Sequence, residues 1–167
     1  MVLARRWAVV AAVTLWLGGL TFYAGFVIRI AHRVLGGSHD FGFVTAEVTG
    51  VLHWMGVVAV VLLLVNLLID RASAGRLLVW GLAVTWFVLA AALVTLFLAH
   101  ASLREVLLPT TRTVTDRWRF RPLHEFYQLT LGVQWVAGAL HLGFVLAAWR
   151  RADRSTPGRR ESLPTAP

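Results

Sequence analysis

The chain has 167 residues, enough for about one domain, and 58% of them are hydrophobic while only 14% are charged, against about 25% charged in a soluble domain. That balance excludes disorder, a solenoid and almost any water-soluble enzyme, and the absence of cysteine excludes disulfides, iron–sulfur clusters, zinc–thiolate sites and cysteine nucleophiles. The net charge of +8 comes from sixteen arginines, with no lysine, against eight acids; the arginines flank long uncharged runs, which is the pattern of membrane anchoring rather than of nucleic-acid binding.

Four uncharged runs are long enough to cross a bilayer, and backbone polar groups in hydrocarbon must be paired, so each is expected to be a helix. The first, Trp7–Ile28, exceeds the apolar core of a signal peptide and no Ala-x-Ala site follows it, so it is read as a retained span. A loop from Arg29 to Glu47 holds His32, His39 and Asp40. The second span, Val48–Ile69, carries His53 and Asn66. The short Asp70–Arg76 connection, with Ser73 and Gly75, folds spans two and three into an antiparallel hairpin. The third span, Leu77–Ala99, is followed by His100 and by an amphipathic stretch that extends the helix toward Pro109. A long loop from Ala101 to Arg121 leads to the fourth span, Phe126–Trp149. Pro122 and Glu125 suit its first turn, where proline loses no hydrogen bond and a carboxylate meets the helix dipole. From Ala152, Ser155-Thr156-Pro157-Gly158 and Pro164 read as a disordered cytoplasmic tail.

An even number of spans puts both chain ends on one side. Nine arginines fall there and seven on the other, which favours cytoplasmic ends, and the reading is a multi-pass protein of a bacterial-type inner membrane. Trp7, Trp80 and Trp149 at one rim and Trp54 and Trp118 at the other suit interfacial aromatic belts. Glycines at 18, 19, 25, 50, 56, 132, 138 and 143 allow close helix approach, but no clean GxxxG pair marks a homodimer seam.

Polar groups in a bilayer are costly, so they are the places to look for function. Five of the six histidines, His32, His39, His53, His100 and His124, gather on the side away from the chain ends, with Asp40, Glu47, Glu105 and Glu125 near them in sequence. Imidazole with carboxylate suits a transition metal, for which His53, His100 and His124 are the candidate ligands. Haem b is the other cofactor to consider. His53 and His141, however, differ in depth by about 12 Å as read from their span ends, a poor match for one haem, whereas His53 with His100 or His124 is better matched but lies near the rim. On span four His124, Gln128, Gln134 and His141 fall within an arc of about 140° and run for about 25 Å; exposure to lipid would be unfavourable, so this polar path is expected to face the bundle interior. Interhelical hydrogen bonding is the simpler use for it, with Thr14, Tyr23, Thr49, Asn66, Thr85 or Thr95 as partners. Glu105 with Glu125, or Asp116 with Arg119, are the other polar pairs, and no Gly-x-Ser-x-Gly, His-Glu-x-x-His or phosphate-binding glycine loop is present.

Two segments, Leu15-Trp16-Leu17-Gly18-Gly19-Leu20-Thr21-Phe22 and Phe120-Arg121-Pro122-Leu123-His124-Glu125-Phe126-Tyr127, resemble the transmembrane-protein-205-like family of small four-helix membrane proteins. The resemblance implies the four-span layout, carries over Gly18, Gly19, Phe120 and His124 as recurring positions, and supplies no mechanism, since the family's activity is largely unassigned. A fainter similarity to copper-resistance membrane domains lacks their methionine-rich motifs, with only Met1 and Met55 present.

The sequence thus specifies an all-α, integral membrane, antiparallel four-helix bundle over residues 1–151, with a tail over 152–167. Its expected partner is the lipid bilayer and not nucleic acid. Its expected role is non-enzymatic: binding or passing a small ligand or a proton along the polar face of span four. The alternative is a metal or haem protein that uses the histidines away from the chain ends.

Overall fold

The protein, seen in a computed structural model that describes residues 1–35, 39–72, 74–108, 113–114 and 117–155, is an all-α bundle of four long helices, each long and apolar enough to cross a membrane. α1 (Val2–Phe22) passes through a π-helical turn, Tyr23–Val27, into α2 (Ile28–Leu35), and together they form the first rod. α3 (His39–Asp70), α4 (Arg76–Val106) and α5 (Arg117–Ser155) are the others. A two-residue antiparallel ladder, β1 (Leu107–Leu108) with β2 (Thr113–Val114), lies between α4 and α5.

Lipid is as apolar as leucine, so hydrophobicity alone does not tell these helices which face to bury. Spacing and side-chain size do. The buried residues of α1 and the π-helical turn are Val9, Val13, Trp16, Leu20 and Tyr23, an alternation of four and three. α4 repeats it through Leu82, Thr85, Leu89, Ala92, Leu96, Ala99 and Leu103. Such a period gives shallow, left-handed knobs-into-holes packing. Large apolar side chains between these seams, such as Leu15, Trp54, Phe87 and Leu129, are exposed and face lipid.

The start of α1 and the end of α5 share one face, called here the terminal face. Arg5 Nη2 donates to Asp70 Oδ1 at 2.7 Å, and Arg6 makes a bidentate pair with Asp153 at 2.8 and 2.9 Å. These contacts set the start of α1 beside the ends of α3 and α5. On the opposite, loop face, Arg104 of α4 pairs with Glu47 of α3.

Close approach is concentrated at a few glycines. A Cβ on Gly56 would lie 2.9 Å from the Trp16 indole, and one on Gly138 would lie 3.0 Å from Leu17. Trp16 is 1% exposed and its ring has no room to retreat, so Gly56→Val should destabilise the bundle by about 1–3 kcal/mol, the usual cost of overpacking. Thermal unfolding in detergent checks this, with Gly18→Val as control because nothing lies within 4 Å of Gly18.

Several sequence expectations are corrected. Residues 29–35 continue the first rod as α2 and α3 already begins at His39, so most of the Arg29–Glu47 loop is helix. Its residues 36–38, and the side chains of His39 and Asp40, lie outside the described residues. Pro122 is inside α5 rather than in its first turn, because the helix starts at Arg117; Glu125 therefore serves an i,i+4 pair with Arg121 at 3.0 Å instead of a helix start or a pairing with Glu105. Trp149 is 7% exposed and belongs to the core rather than to the aromatic belt. Its indole N–H finds a carboxylate in the bundle that the interface would not supply. α4 does run on past Ala99, to Val106, while Pro109, Asp116, the Arg119 side chain and residues 156–167 lie outside the described residues.

Candidate functional site

The bundle core is not uniformly apolar. Among the described residues seven polar ones are buried in it: Thr49, His53, Asn66, Asp70, Thr85, Gln134 and His141. They fall at three depths along α5 and at a fourth beyond them at the terminal face, and α5 supplies the ruler. Tyr127, Gln134 and His141 are 7%, 0% and 0% exposed, sit seven residues apart, and so recur on one face of α5 every two turns or about 10.5 Å.

The level nearest the loop face is an aromatic and imidazole cluster. The Tyr127 hydroxyl lies 3.0 Å from His53 Nε2 and also has Thr49 as a hydrogen-bond partner. The His53 ring meets His100 edge-on, with centroids 5.4 Å apart and planes at 88°. Tyr23, at the start of the π-helical turn, is hydrogen-bonded to Thr45. His53 Nδ1 is buried without a partner.

The middle level is Gln134. Both its amide nitrogen and its amide oxygen are buried and unpartnered. Stepping two turns along α4 and α5 from the Thr85–His141 contact places it opposite Ala92, whose small side chain leaves the amide room.

The third level is His141 with Thr85. The Thr85 hydroxyl has one proton, which it gives to the Gly81 carbonyl at 2.7 Å. Its oxygen lies 2.8 Å from His141 Nδ1, so it must accept there and Nδ1 must donate. The neutral ring then carries its free lone pair on Nε2, which is buried with no partner. Beyond it, at the terminal face, Asn66 Oδ1 and Asp70 Oδ2 accept from the Trp149 indole at 3.3 and 2.8 Å, Asn66 Nδ2 is unpartnered, and Arg5 neutralises Asp70. Arg6 lies 5.2 Å over the Trp149 ring and closes the cluster.

The four residues expected to share one polar path divide in two. Gln134 and His141 face the interior. Gln128 is exposed and its amide pairs locally with the half-buried His124, Nε2 to Nε2 at 3.0 Å. The reason is angular: at 100° per residue Gln128 lies about 130° around α5 from the midpoint of Gln134 and His141. An arc that wide spans both an inward and an outward face. The inward file is continued by Tyr127 and, on α3, by His53 and Asn66.

The expected metal set does not assemble. His53 and His100 are neighbours, but His124 stacks on Phe120 with centroids 5.5 Å apart, and among the described residues no group of three or more His, Asp or Glu is placed to hold a metal. For haem, His53 is level with Tyr127, and His141 is about 21 Å further along α5, so the two cannot ligate one iron. Of the positions carried over by resemblance, Gly19 lies against Leu52, where a Cβ would approach to 3.0 Å, while Gly18 faces open space.

The fold and its lining define a multi-span membrane protein with a polar core. No family model, curated protein or solved structure matches the chain.

Asp70 and Trp149 were missed as interior residues in the sequence reading. The signal for Asp70 was a lone carboxylate ending a long uncharged run, a position that calls for a cationic partner.

Proposed function

We propose that the bundle conducts protons along a hydrated polar file on the inward face of span four, as a non-enzymatic membrane protein. The observation that carries the reading is the set of unpartnered polar atoms on Gln134 and His141, both 0% exposed. Buried polar groups are otherwise almost always paired, and in a polar interior the usual partner of such an orphan is an ordered water.

The chemistry suits protons better than a larger solute. His141 is held with Nδ1 donating and Nε2 bare, so a proton can be taken up at one ring nitrogen and released from the other. Gln134 can accept at its oxygen and donate at its nitrogen, which lets it orient a water chain without holding charge. The intervals of about 10.5 Å correspond to about four hydrogen bonds of about 2.8 Å, which a short file of waters can span. His53 and Tyr127 at one end and Asn66 and Asp70 at the other supply groups that exchange protons or water with the two surfaces. With both chain ends in the cytoplasm of a bacterial-type cell, the Asp70 end opens inward.

The test is proton uptake into liposomes carrying the purified protein and a pH-sensitive dye, driven by a potassium diffusion potential. The parent should acidify the lumen faster than empty liposomes, and His141→Leu should return the rate to that of empty liposomes. Equal rates for parent and variant would overturn the reading. Gln134→Leu should slow uptake without abolishing it, because the amide only orients water.

A further inference from the structure

The terminal-face end of α5 carries a second feature, independent of the core file. Ala147, Arg150, Arg151 and Arg154 line a broad, largely open groove of about 520 Å³. All four residues are exposed, and on α5 they occupy an arc of about 100°. We propose that this groove binds the headgroup of an anionic glycerophospholipid from the leaflet on the side of the chain ends, with an acyl chain lying along the strip of α5 beneath it.

Charge supports the headgroup. Asp153 is engaged by Arg6 on the other flank of α5, and Arg150 and Arg154 make no ion pair among the described residues. The Arg151 guanidinium lies across Gly75, the residue with φ of +79° in the α3–α4 turn, where a Cβ would come within 3.0 Å of its Cζ. That proximity places the Arg151 guanidinium at the groove wall. Guanidinium forks match phosphate oxygens in pairs, and basic pockets at this depth suit lipid phosphates.

The strip supports the chain. Ala147 forms the apolar part of the groove, and Gly143, one turn deeper on the same face, has nothing within 4 Å. Leu140 and Val136 continue the line at 54% and 52% exposure. The small residues Ala147 and Gly143 leave room beneath the arginines, and the exposed Leu140 and Val136 further along the same face offer apolar surface to a hydrocarbon chain. A free anion would have no use for it.

The experiment uses the full chain in mild detergent with dioleoyl phosphatidylglycerol, dioleoyl phosphatidylcholine or sodium phosphate, read by native mass spectrometry and thermal shift. Phosphatidylglycerol should be retained and should raise the melting temperature, and phosphatidylcholine should do neither. Arg150→Gln with Arg154→Gln should weaken retention about thirtyfold, at about fivefold per arginine. Gly143→Leu, which leaves the charge intact and whose Cβ meets nothing within 4 Å, should weaken it several-fold. Equal retention of the two lipids, or retention unchanged by the double arginine substitution, overturns the site. Full competition by inorganic phosphate makes it a free-anion site and overturns the lipid assignment. An inert Gly143→Leu overturns the acyl slot, and a dimer that this substitution dissolves assigns the strip to a second copy instead.

Discussion

Replacing Thr85 with valine and His141 with leucine together is expected to leave the bundle about as stable as the parent while its proton uptake falls to that of empty liposomes. The two residues form a closed pair within the core, since Thr85 satisfies its own proton on Gly81 and His141 donates to Thr85. Removing both partners removes a hydrogen bond and also the unpartnered Nε2. Exchanging paired polar groups for apolar ones of similar volume is close to neutral, within about 1 kcal/mol. Thr85→Val alone strands the Nδ1–H in hydrocarbon and should cost about 1–3 kcal/mol. Thermal unfolding of the single and double variants, set beside their uptake rates, separates conduction from packing. A purely structural pair would lose stability and flux together in the single variant and recover both in the double.

Asp70→Leu is expected to be the most damaging single substitution for stability, at about 3 kcal/mol, because it leaves Arg5 in a site built for an ion pair. The figure sits at the lower end of the range for buried pairs because the side chains of Arg5 and Asp70 keep 20% and 12% exposure. One further loss acts in the same direction. The Trp149 indole loses its 2.8 Å acceptor, and Arg5 Nη1, already buried without a partner, gains nothing in exchange. Arg5→Met combined with Asp70→Leu should recover most of the loss, since neither charge then remains. Asp153→Asn should have little effect, because its bidentate pair with Arg6 lies at a carboxylate that is 60% exposed, where water screens the attraction. Unfolding of each variant by graded denaturing detergent checks the order, and equal losses from Asp70→Leu and Asp153→Asn would contradict it.

The candidate site was partly legible in the sequence. Gln134 and His141 are seven residues apart, so any helix carries them on one face, and the cost of exposing them to lipid says which face that is. His124 and Gln128 entered the same arc because a wheel cannot show where an inward face ends. The packing of α5 against α4 draws that line, with Tyr127 inside and Gln128 out. His53 and His100 are 47 residues apart in sequence and meet only because α3 and α4 lie side by side. The network of Arg5, Asp70 and Trp149 was not read at all, since its members come from three helices and each alone resembles an ordinary rim residue. Pro122 was misread for a related reason. A proline rule for helix starts is local, whereas α5 begins a turn and a half earlier at Arg117.

The number of rods, their antiparallel order and their all-helical character were fixed by the placement of four uncharged runs and the short connection between the second and third, because a peptide backbone in hydrocarbon has no partners but its own. Which flank of each rod turns inward is a different matter: where the surroundings are as oily as the interior, burial gains nothing by sorting greasy side chains. Seam spacing, indole-on-glycine contacts such as Trp16 on Gly56, and hydrogen bonds between residues remote in sequence made that choice, and those exist only once all four helices are in place.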